Sequence, residues 1–233
     1  MPIESAAFAD IAPAPGSRAY DAYQQMRRRI VELDLPPGAP FTEGALAISL
    51  GVSKTPVREA LVVLAAEEYV DVLPQTGYIV RPVTLRSIND VFQTQILLEG
   101  AAVESLRAAV RTTSEDLAEL HARRQKNTAS NEEFLADYLA FHFTIAGAAG
   151  NRRLRQPLAR LLHHHERLLR MCAAQGTPLA QLVGDDQPLL AALQEERWVD
   201  AGEAARVRLR DCQETVMQVL LTSSYLLDAV ISP

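Results

Sequence analysis

Hydrophobic positions near the start of the chain recur with helical spacing. The residues that share it, three or four apart, are Tyr20, Tyr23, Met26, Ile30 and Leu33. The spacing predicts a helix that starts at Ser17 and is ended by Pro36-Pro37-Gly38, because proline supplies no amide donor. Residues 1–16 show no sustained period, so we predict a flexible tail there.

Two shorter helical segments follow and are separated by a glycine. Thr42 is a suitable N-cap for the first helix, which Gly51 stops, and Ser53 is a suitable N-cap for the second. The residues predicted to face inward are Ala45, Leu46 and Leu50 in the first, and Val57, Leu61 and Leu64 in the second.

Two β-prone runs come next, at residues 69–73 and 78–80, and a Pro-Gln-Thr-Gly turn separates them. Such runs around a turn predict a small hairpin. Residues 17–83 are therefore predicted to form one domain in the order helix, helix, turn, helix, hairpin.

From Leu85 onward the hydrophobic positions keep helical spacing, with no convincing strand. The predicted helices centre on residues 88–106, 117–120, 134–146, 154–169, 184–197 and 200–226, with breaks at 112–114, 127–131, 147–151, 174–178 and 198–202. Short loops between amphipathic helices predict an antiparallel bundle. The fold class is thus mainly α, with a helix–hairpin domain followed by a helical domain at 84–228.

Composition narrows the class of protein. With 233 residues, of which 48% are hydrophobic, the chain can bury a sizeable core. Two cysteines, Cys172 and Cys212, are too few for a disulfide framework, and this favours a reducing compartment. The N-terminus lacks a signal-peptide pattern, and the uncharged stretch at 215–227 is shorter than the roughly 20 residues of a membrane span. We expect a cytoplasmic protein with no membrane partner.

The layout around Gly51 is that of a helix-turn-helix, whose second helix enters the major groove of DNA. Lys54, Thr55 and Arg58 lie at the start of that helix, with the cation and hydroxyl chemistry that suits phosphates and base edges. Arg27 and Arg28 add positive charge on the first helix. Residues 1–83 nevertheless carry seven Lys and Arg against ten Asp and Glu, so any DNA contact must be a narrow strip.

The sequence from Gly51 to Leu61, GVSKTPVREAL, closely resembles the winged helix-turn-helix of the GntR family of bacterial transcription regulators. Pro36-Pro37-Gly38 before it and GYIV at 77–80 after it extend the resemblance. It implies that Lys54, Thr55 and Arg58 contact DNA and that Thr76 and Gly77 form a wing tip in the minor groove. Gly44 stands where the family often has a DNA-contacting arginine, so one contact is implied to be missing.

The helical remainder resembles the effector domain of the FadR-type branch of that family, an FCD-like domain. The similar segments are Leu98-Glu99-Gly100, Phe141-His142 followed by Gly150-Asn151, and LLAAL at 189–193. The resemblance implies a homodimer whose bundle encloses a pocket for a small carboxylic acid. Gln95 stands where the branch often has a pocket arginine, and the resemblance implies that Gln95, Tyr138, His142 and Asp186 line the pocket. His165 lies on the apolar stripe of its own helix and either points into the same cavity or is an ordinary polar residue of the core.

Members of that branch often hold a divalent metal with an aspartate four residues before the first histidine and with two later histidines. Here Tyr138 occupies the first position, and the later ones align with Asp186 and Asp211. His142, Asp186 and Asp211 would form an oxygen-rich site that suits Mn²⁺ or Mg²⁺ better than Zn²⁺. The alternative is a core histidine with two surface aspartates and no metal.

Three functions remain open. The first, which we favour, is a dimeric, ligand-responsive regulator that binds a pseudo-palindromic operator and represses until a carboxylic acid releases it. The second is a dimeric DNA-binding scaffold without an effector. The third is a metal-dependent enzyme built on the bundle, but the sequence has no Gly-rich phosphate loop, His-Glu-x-x-His or Ser-x-x-Lys motif, and we predict no enzyme.

Overall fold

The computed structural model describes residues 13–106, 110–126 and 130–222, with side chains at 110–113 left undescribed. The chain divides into two compact units, one ending at Thr84 and the other beginning at Leu85. Helices dominate both, and a small sheet lies in the first, which confirms the predicted fold class. Most of the predicted tail, residues 1–12, lies outside the described residues.

The first unit contains three short helices and the three strands of one sheet. Its elements are α1 (Arg18–Val31), β1 (Pro40–Phe41), α2 (Glu43–Leu50), α3 (Lys54–Ala66), β2 (Val70–Leu73) and β3 (Gly77–Val80). The Ser17 hydroxyl accepts a hydrogen bond from the Tyr20 amide at 3.1 Å and starts α1. The helix ends at Val31, before the predicted prolines, because Leu33 has a left-handed backbone with φ of 67°. Leu33 therefore lies outside the helix.

The first helix of the helix-turn-helix has its predicted caps, whereas Ser53 takes the N-cap position of α3 without a side-chain hydrogen bond. Thr42 accepts a hydrogen bond from the Ala45 amide at 3.2 Å, and Gly51 ends α2 with φ of 66°. In α3 the predicted inward residues are all buried, namely Val57, Leu61 and Leu64. Ala45 is exposed, contrary to the prediction, because Leu46 and Ala47 form the buried face of this short helix.

The sheet has a strand that the sequence did not predict. Its order is β1-β3-β2 with antiparallel pairing, so β3 lies in the middle. Gly77 has φ of 128°, and a Cβ placed on it would lie 2.5 Å from the Phe41 carbonyl oxygen. Only glycine lets β1 and β3 approach this closely.

The second unit is a bundle of six α-helices with one short 3₁₀ turn at Leu179–Gln181, counted over the described residues. The helices are α4 (Leu85–Glu104), α5 (Val110–Lys126), α6 (Asn131–Ala148), α7 (Arg152–Ala174), α8 (Gln187–Gln194) and α9 (Trp198–Leu221). α4 packs against α7 and α9, and α8 packs against α5 and α9.

Two of the predicted breaks in this unit are wrong. Residues 112–114 lie inside α5, near its start, where Ser and Thr are tolerated. Residues 198–202 lie inside α9, and the chain turns before them, where Glu196 has φ of 56°. Gly202 does not break the helix, since it lets α9 approach α4, where a Cβ would meet Glu104 Cγ at 2.6 Å. Of the break at 127–131, residues 127–129 are not described.

Candidate functional site

The first unit presents one face of α3 to solvent. Lys54, Thr55, Arg58 and Val62, which we call the recognition face, are all exposed, and Val62 is 70% exposed. Thr55, Arg58 and Val62 are three and four residues apart and so share a side of the helix. Ser53 occupies the N-cap position without a side-chain hydrogen bond. Amide groups of the first turn are therefore left to other acceptors, such as a phosphate.

Glu43, the first residue of α2, joins this face to the sheet. It accepts hydrogen bonds from Arg58 Nε at 2.7 Å and from the Tyr78 hydroxyl at 3.1 Å. The bond from Arg58 holds the pKa of Glu43 below its usual value. One ionised carboxylate thus positions an arginine on α3 and a tyrosine on β3.

The Lys54 side chain lies beside Gly44, the residue that stands where the family often has a DNA-contacting arginine. A Cβ at Gly44 would lie 3.7 Å from Lys54 Cε and 4.0 Å from its Nζ. The ammonium group of Lys54 therefore lies beside the position that lacks a side chain.

The remaining predicted DNA contacts differ in exposure. Arg28 is exposed and donates to Glu32 at 2.9 Å. Arg27 is only 8% exposed, with its guanidinium 5.5 Å from the centre of the Tyr23 ring. Because Arg27 packs within the unit, we remove it from the candidate interface. Thr76 is exposed in the hairpin loop, whereas Gly77 serves the close approach of β1 to β3.

The five residues predicted for the effector pocket are all buried in the second unit, with no more than 1% exposure: Gln95, Tyr138, His142, His165 and Asp186. His165 Nδ1 donates to Gln95 Oε1 at 2.9 Å. The Tyr138 ring centroid lies 4.4 Å from that of His142 and 5.7 Å from that of His165. Further buried side chains complete what we call the interior polar cluster: Glu99, His121, Arg124, Arg208 and Cys212.

Glu99 is the first of two acceptors at the centre of the cluster. It receives hydrogen bonds from Gln95 Nε2 at 3.0 Å, His142 Nδ1 at 2.7 Å and Arg208 Nη2 at 2.5 Å. Burial by itself raises the pKa of Glu99, but His142 and Arg208 outweigh it and lower the pKa to about 2. Glu99 is therefore ionised at neutral pH.

Asp186 is the second acceptor. Arg208 Nη1 donates to its Oδ1 at 3.0 Å, and Arg124 Nη2 donates to its Oδ2. His121 Nδ1 also lies 3.1 Å from Oδ2. Arg208 thereby bridges Asp186 and Glu99, so that positive and negative groups alternate through the interior.

The buried histidines of the cluster are neutral. Burial lowers the pKa of His121 and His142, and it lowers that of His165 to about 3. The hydrogen bonds of His142 and His165 agree with this, since one ring nitrogen of each donates and the other accepts. In His142, Nδ1 faces Glu99 and Nε2 accepts from Arg208. In His165, Nδ1 faces Gln95 and Nε2 accepts from Cys212. In His121, Nδ1 faces Asp186 and Nε2 accepts from Gln187.

The predicted metal ligands do not form a metal site. Asp211 is exposed on α9, because Arg208 and Cys212 take the inward positions of that helix. Arg208 Nη1 lies 3.0 Å from Asp186 Oδ1 and 3.3 Å from His142 Nε2, so a guanidinium fills the space between the two remaining ligands. Within the described ranges, no group of three His, Cys, Asp or Glu side chains could hold a metal ion. A second cation there would be repelled by Arg208.

Sequence reasoning missed Glu99, His121, Arg124 and Arg208. A signal existed for two of them. Glu99 follows Gln95 by four residues on the apolar face of α4, and Arg208 lies on the buried stripe of α9 that includes Ala205 and Cys212. A charged residue on a buried helical stripe marks an interior polar site.

Comparison with known families gives two matches. Residues 18–80 match the family described as bacterial regulatory proteins, gntR family, and residues 90–211 match the FCD domain. In the described segments, no helix combines the length and apolarity needed to cross a membrane.

Similar proteins are bacterial regulators. The chain is 26% identical to the HTH-type transcriptional repressor RspR of Escherichia coli (strain K12), over 84% of this chain and 88% of RspR. It is 29% identical to an uncharacterised HTH-type transcriptional regulator of Streptomyces ambofaciens, over 82% of this chain and 81% of that one. Among solved structures, E. coli McbR/YncC has a similar fold, with a TM-score of 0.69, 21% identity and coverage of 88% and 97% of the two chains.

Proposed function

The chain belongs to the GntR family of bacterial transcription regulators, with an FCD domain, and from this we propose that it is a repressor that a small carboxylic acid releases from DNA. It is a transcription regulator and not an enzyme. The proposal extends to a homodimer that binds a pseudo-palindromic operator in the bacterial cytoplasm.

The recognition face carries the DNA-binding part of the proposal. Lys54, Thr55 and Arg58 are exposed at the end of α3 whose first turn lacks a side-chain cap. In the proposed complex, Arg58 pairs with guanine O6 and N7, and Lys54 contacts a phosphate. Val62, one turn beyond Arg58, is placed to contact a thymine methyl group.

The hairpin, and the α3 helix of the second subunit in the proposed dimer, extend the contact with DNA. Thr76 is exposed at the hairpin loop, where the resemblance puts a wing tip in the minor groove. Two-fold symmetry would place two α3 helices in successive major grooves, about 34 Å apart. The operator is therefore proposed to be a short inverted repeat.

The interior polar cluster supports an anionic effector. It contains two buried guanidinium groups, those of Arg124 and Arg208, and guanidinium pairs well with carboxylate. The neutral histidines and Tyr138 add hydrogen-bonding groups for the rest of a small polar molecule. Among the described residues of the cluster, no three His, Cys, Asp or Glu side chains are arranged to hold a metal ion. We therefore propose that the effector binds without a metal ion.

Fluorescence anisotropy with the protein's own upstream intergenic DNA tests the proposal. Arg58→Ala should weaken binding by about 5- to 150-fold, the equivalent of about 1–3 kcal/mol lost with a bidentate base contact. Arg210→Ala, which removes an exposed arginine of the second unit, is the matched control and should bind as the wild type does. The logarithm of affinity should fall linearly with the logarithm of salt concentration.

The same assay then screens small carboxylic acids for release of the bound DNA. Equal affinity of Arg58→Ala and wild type would remove Arg58 from the interface. If DNA binds specifically but no acid changes either its affinity or the melting temperature, the scaffold without an effector replaces the ligand-responsive repressor.

A further inference from the structure

Two polar atoms of the interior polar cluster lack a hydrogen-bond acceptor. Arg124 Nη1 and Arg208 Nε are buried and have no partner among the residues described. Both residues are only 2% exposed, so water at the surface does not satisfy these atoms. Buried guanidinium groups normally use their donors. The unused donors indicate that this pair can receive acceptor oxygens beyond those it now contacts.

Asp186 already occupies the space between these two arginines. Its Oδ1 accepts from Arg208 at 3.0 Å, its Oδ2 accepts from Arg124, and its side chain is fully buried. We propose that the Arg124–Arg208 pair is a seat for one carboxylate group, held by Asp186 in the free protein, and that the effector's carboxylate displaces Asp186 from it. This inference rests on the effector-binding part of the proposed function.

The charges of the cluster explain why the displacing group is an anion. Arg124 and Arg208 are opposed by Glu99 and Asp186, while His121, His142 and His165 are neutral. Burial and the nearby Arg208 lower the pKa of Arg124 to about 10, so this guanidinium depends on the negative charge of Asp186 beside it. Removing Asp186 from the pair leaves one positive charge in excess, which a single carboxylate balances.

Asp186, and not Glu99, is the carboxylate that can leave. Each carboxylate has three side-chain partners, but Glu99 lies within α4, where the helical backbone fixes its position. Asp186 is the N-cap residue of α8 and makes no capping hydrogen bond there. An N-cap carboxylate ordinarily accepts from an amide two or three residues ahead. Since Pro188 has no amide hydrogen, the Leu189 amide is the partner available to a displaced Asp186.

Displacement would change the start of α8. Asp186 now has a right-handed helical backbone with φ of −86° and ψ of −12°, whereas a capping residue is extended. Moving from the arginine pair to the cap therefore requires a backbone rotation at residue 186. Because α8 packs against α5 and α9, the rotation transmits ligand binding to two further helices.

Chemical rescue with formate tests the seat directly. Asp186→Ala removes only the carboxylate, and formate supplies one from solution. We expect the variant to melt at a lower temperature than wild type and sodium formate to restore the melting temperature in a saturable way. Sodium chloride at equal ionic strength should not do so. The variant should bind formate at least about tenfold more tightly than wild type, which retains its tethered competitor.

Asp185→Ala is the matched control, because Asp185 is adjacent but exposed and accepts from the Gln187 amide at 3.0 Å. An equal response to formate in the two alanine variants would overturn the proposal. If Asp186→Ala does not fold, Asp186→Ser, whose short side chain also leaves the space between the two arginines to formate, replaces it with the same criterion.

Hydrogen exchange tests the coupling to α8. In Asp186→Ala, amides of residues 187–194 should exchange faster without formate and slow again when formate is added. Formate rescue of melting without this change would overturn the link between the seat and α8. No DNA is needed for these measurements, so their failure leaves the operator-binding result intact, and a failed operator assay leaves them interpretable.

Discussion

The two units of the molecule use charge in opposite ways. In the first, Lys54, Thr55 and Arg58 are exposed, and a single carboxylate, Glu43, holds the arginine in place. In the second, Glu99 and Asp186 are fully buried and engaged by several donors each. An exposed ion pair contributes little to stability, whereas breaking a buried one leaves an uncompensated charge in the interior. The exposed charges of the first unit are suited to binding an external partner. The buried charges of the second unit are suited to stabilising the fold until a ligand with a matching charged group binds.

Glu99→Ala should have the largest effect. It removes the acceptor for Gln95, His142 and Arg208 and leaves a buried guanidinium with too little negative charge. We expect the free energy of unfolding of the second unit to fall by about 3–5 kcal/mol. Urea unfolding followed by circular dichroism measures this.

Glu203→Ala is the control for that variant. Glu203 also contacts two arginines, Arg206 and Arg210, but it lies on the surface. It should change the unfolding curve little. Similar losses in the two variants would mean that burial does not decide the value of these ion pairs.

Acid should destabilise the second unit more than the first. The pKa of His165 is about 3 in the folded protein against an ordinary value of 6.5, and that of Glu99 is about 2 against 4.5. Between its folded and its ordinary pKa, each group binds a proton in the unfolded chain but not in the folded one, so the free energy of unfolding falls as the pH falls. The fall begins at about pH 6.5 for His165 and at about pH 4.5 for Glu99. Each group contributes about 1.4 kcal/mol per pH unit within its window.

Urea unfolding between about pH 7 and 5 checks the histidine contribution. His165→Gln, which can still donate to Gln95, should show a shallower loss than wild type over that range. Parallel slopes for the two proteins would argue that His165 takes up a proton in the folded state.

Glu43→Gln should have the smallest effect. The amide oxygen can still accept from Arg58 or Tyr78, but the negative charge beside the recognition face is gone. We expect DNA affinity to rise by about two- to fivefold at low salt and the gain to shrink as salt increases. Anisotropy titrations at two salt concentrations measure it. Weaker binding would show instead that the charge of Glu43 is needed to orient Arg58.

The sequence predicted the elements of the first unit well because local signals set them. Thr42 and Gly51 cap and stop α2 through contacts within a few residues. The strand β1 was missed, since two residues carry no period and their pairing depends on β3, far along the chain. Arg27 was predicted to contact DNA from its charge alone, and its charge does not show that its side chain packs over the Tyr23 ring and is buried.

The interior polar cluster was predicted only in part, for a similar reason. The family resemblance identified Gln95, Tyr138, His142 and Asp186, and the apolar stripe of its helix identified His165. The structure brings all five together. Arg124 and Arg208 reach Asp186 from α5 and α9, and no local pattern shows which arginines of a charged helix turn inward. Asp211 directly precedes the inward Cys212 and therefore points about 100° away around α9, an error that only the packing of this helix reveals.

Because Gly77 has no side chain, it also sets the distance between β3 and β1. β3 touches β1 where a single added carbon would meet the Phe41 carbonyl, so the hairpin is held close to the segment that leads into α2. In the proposed complex, the offset between the helix in one groove and the hairpin in the next is therefore fixed before DNA arrives. This fixed offset sets the spacing between the two contacts that an operator has to match. Operators whose shape or flexibility matches it are favoured over others, and a residue without a side chain takes part in that choice.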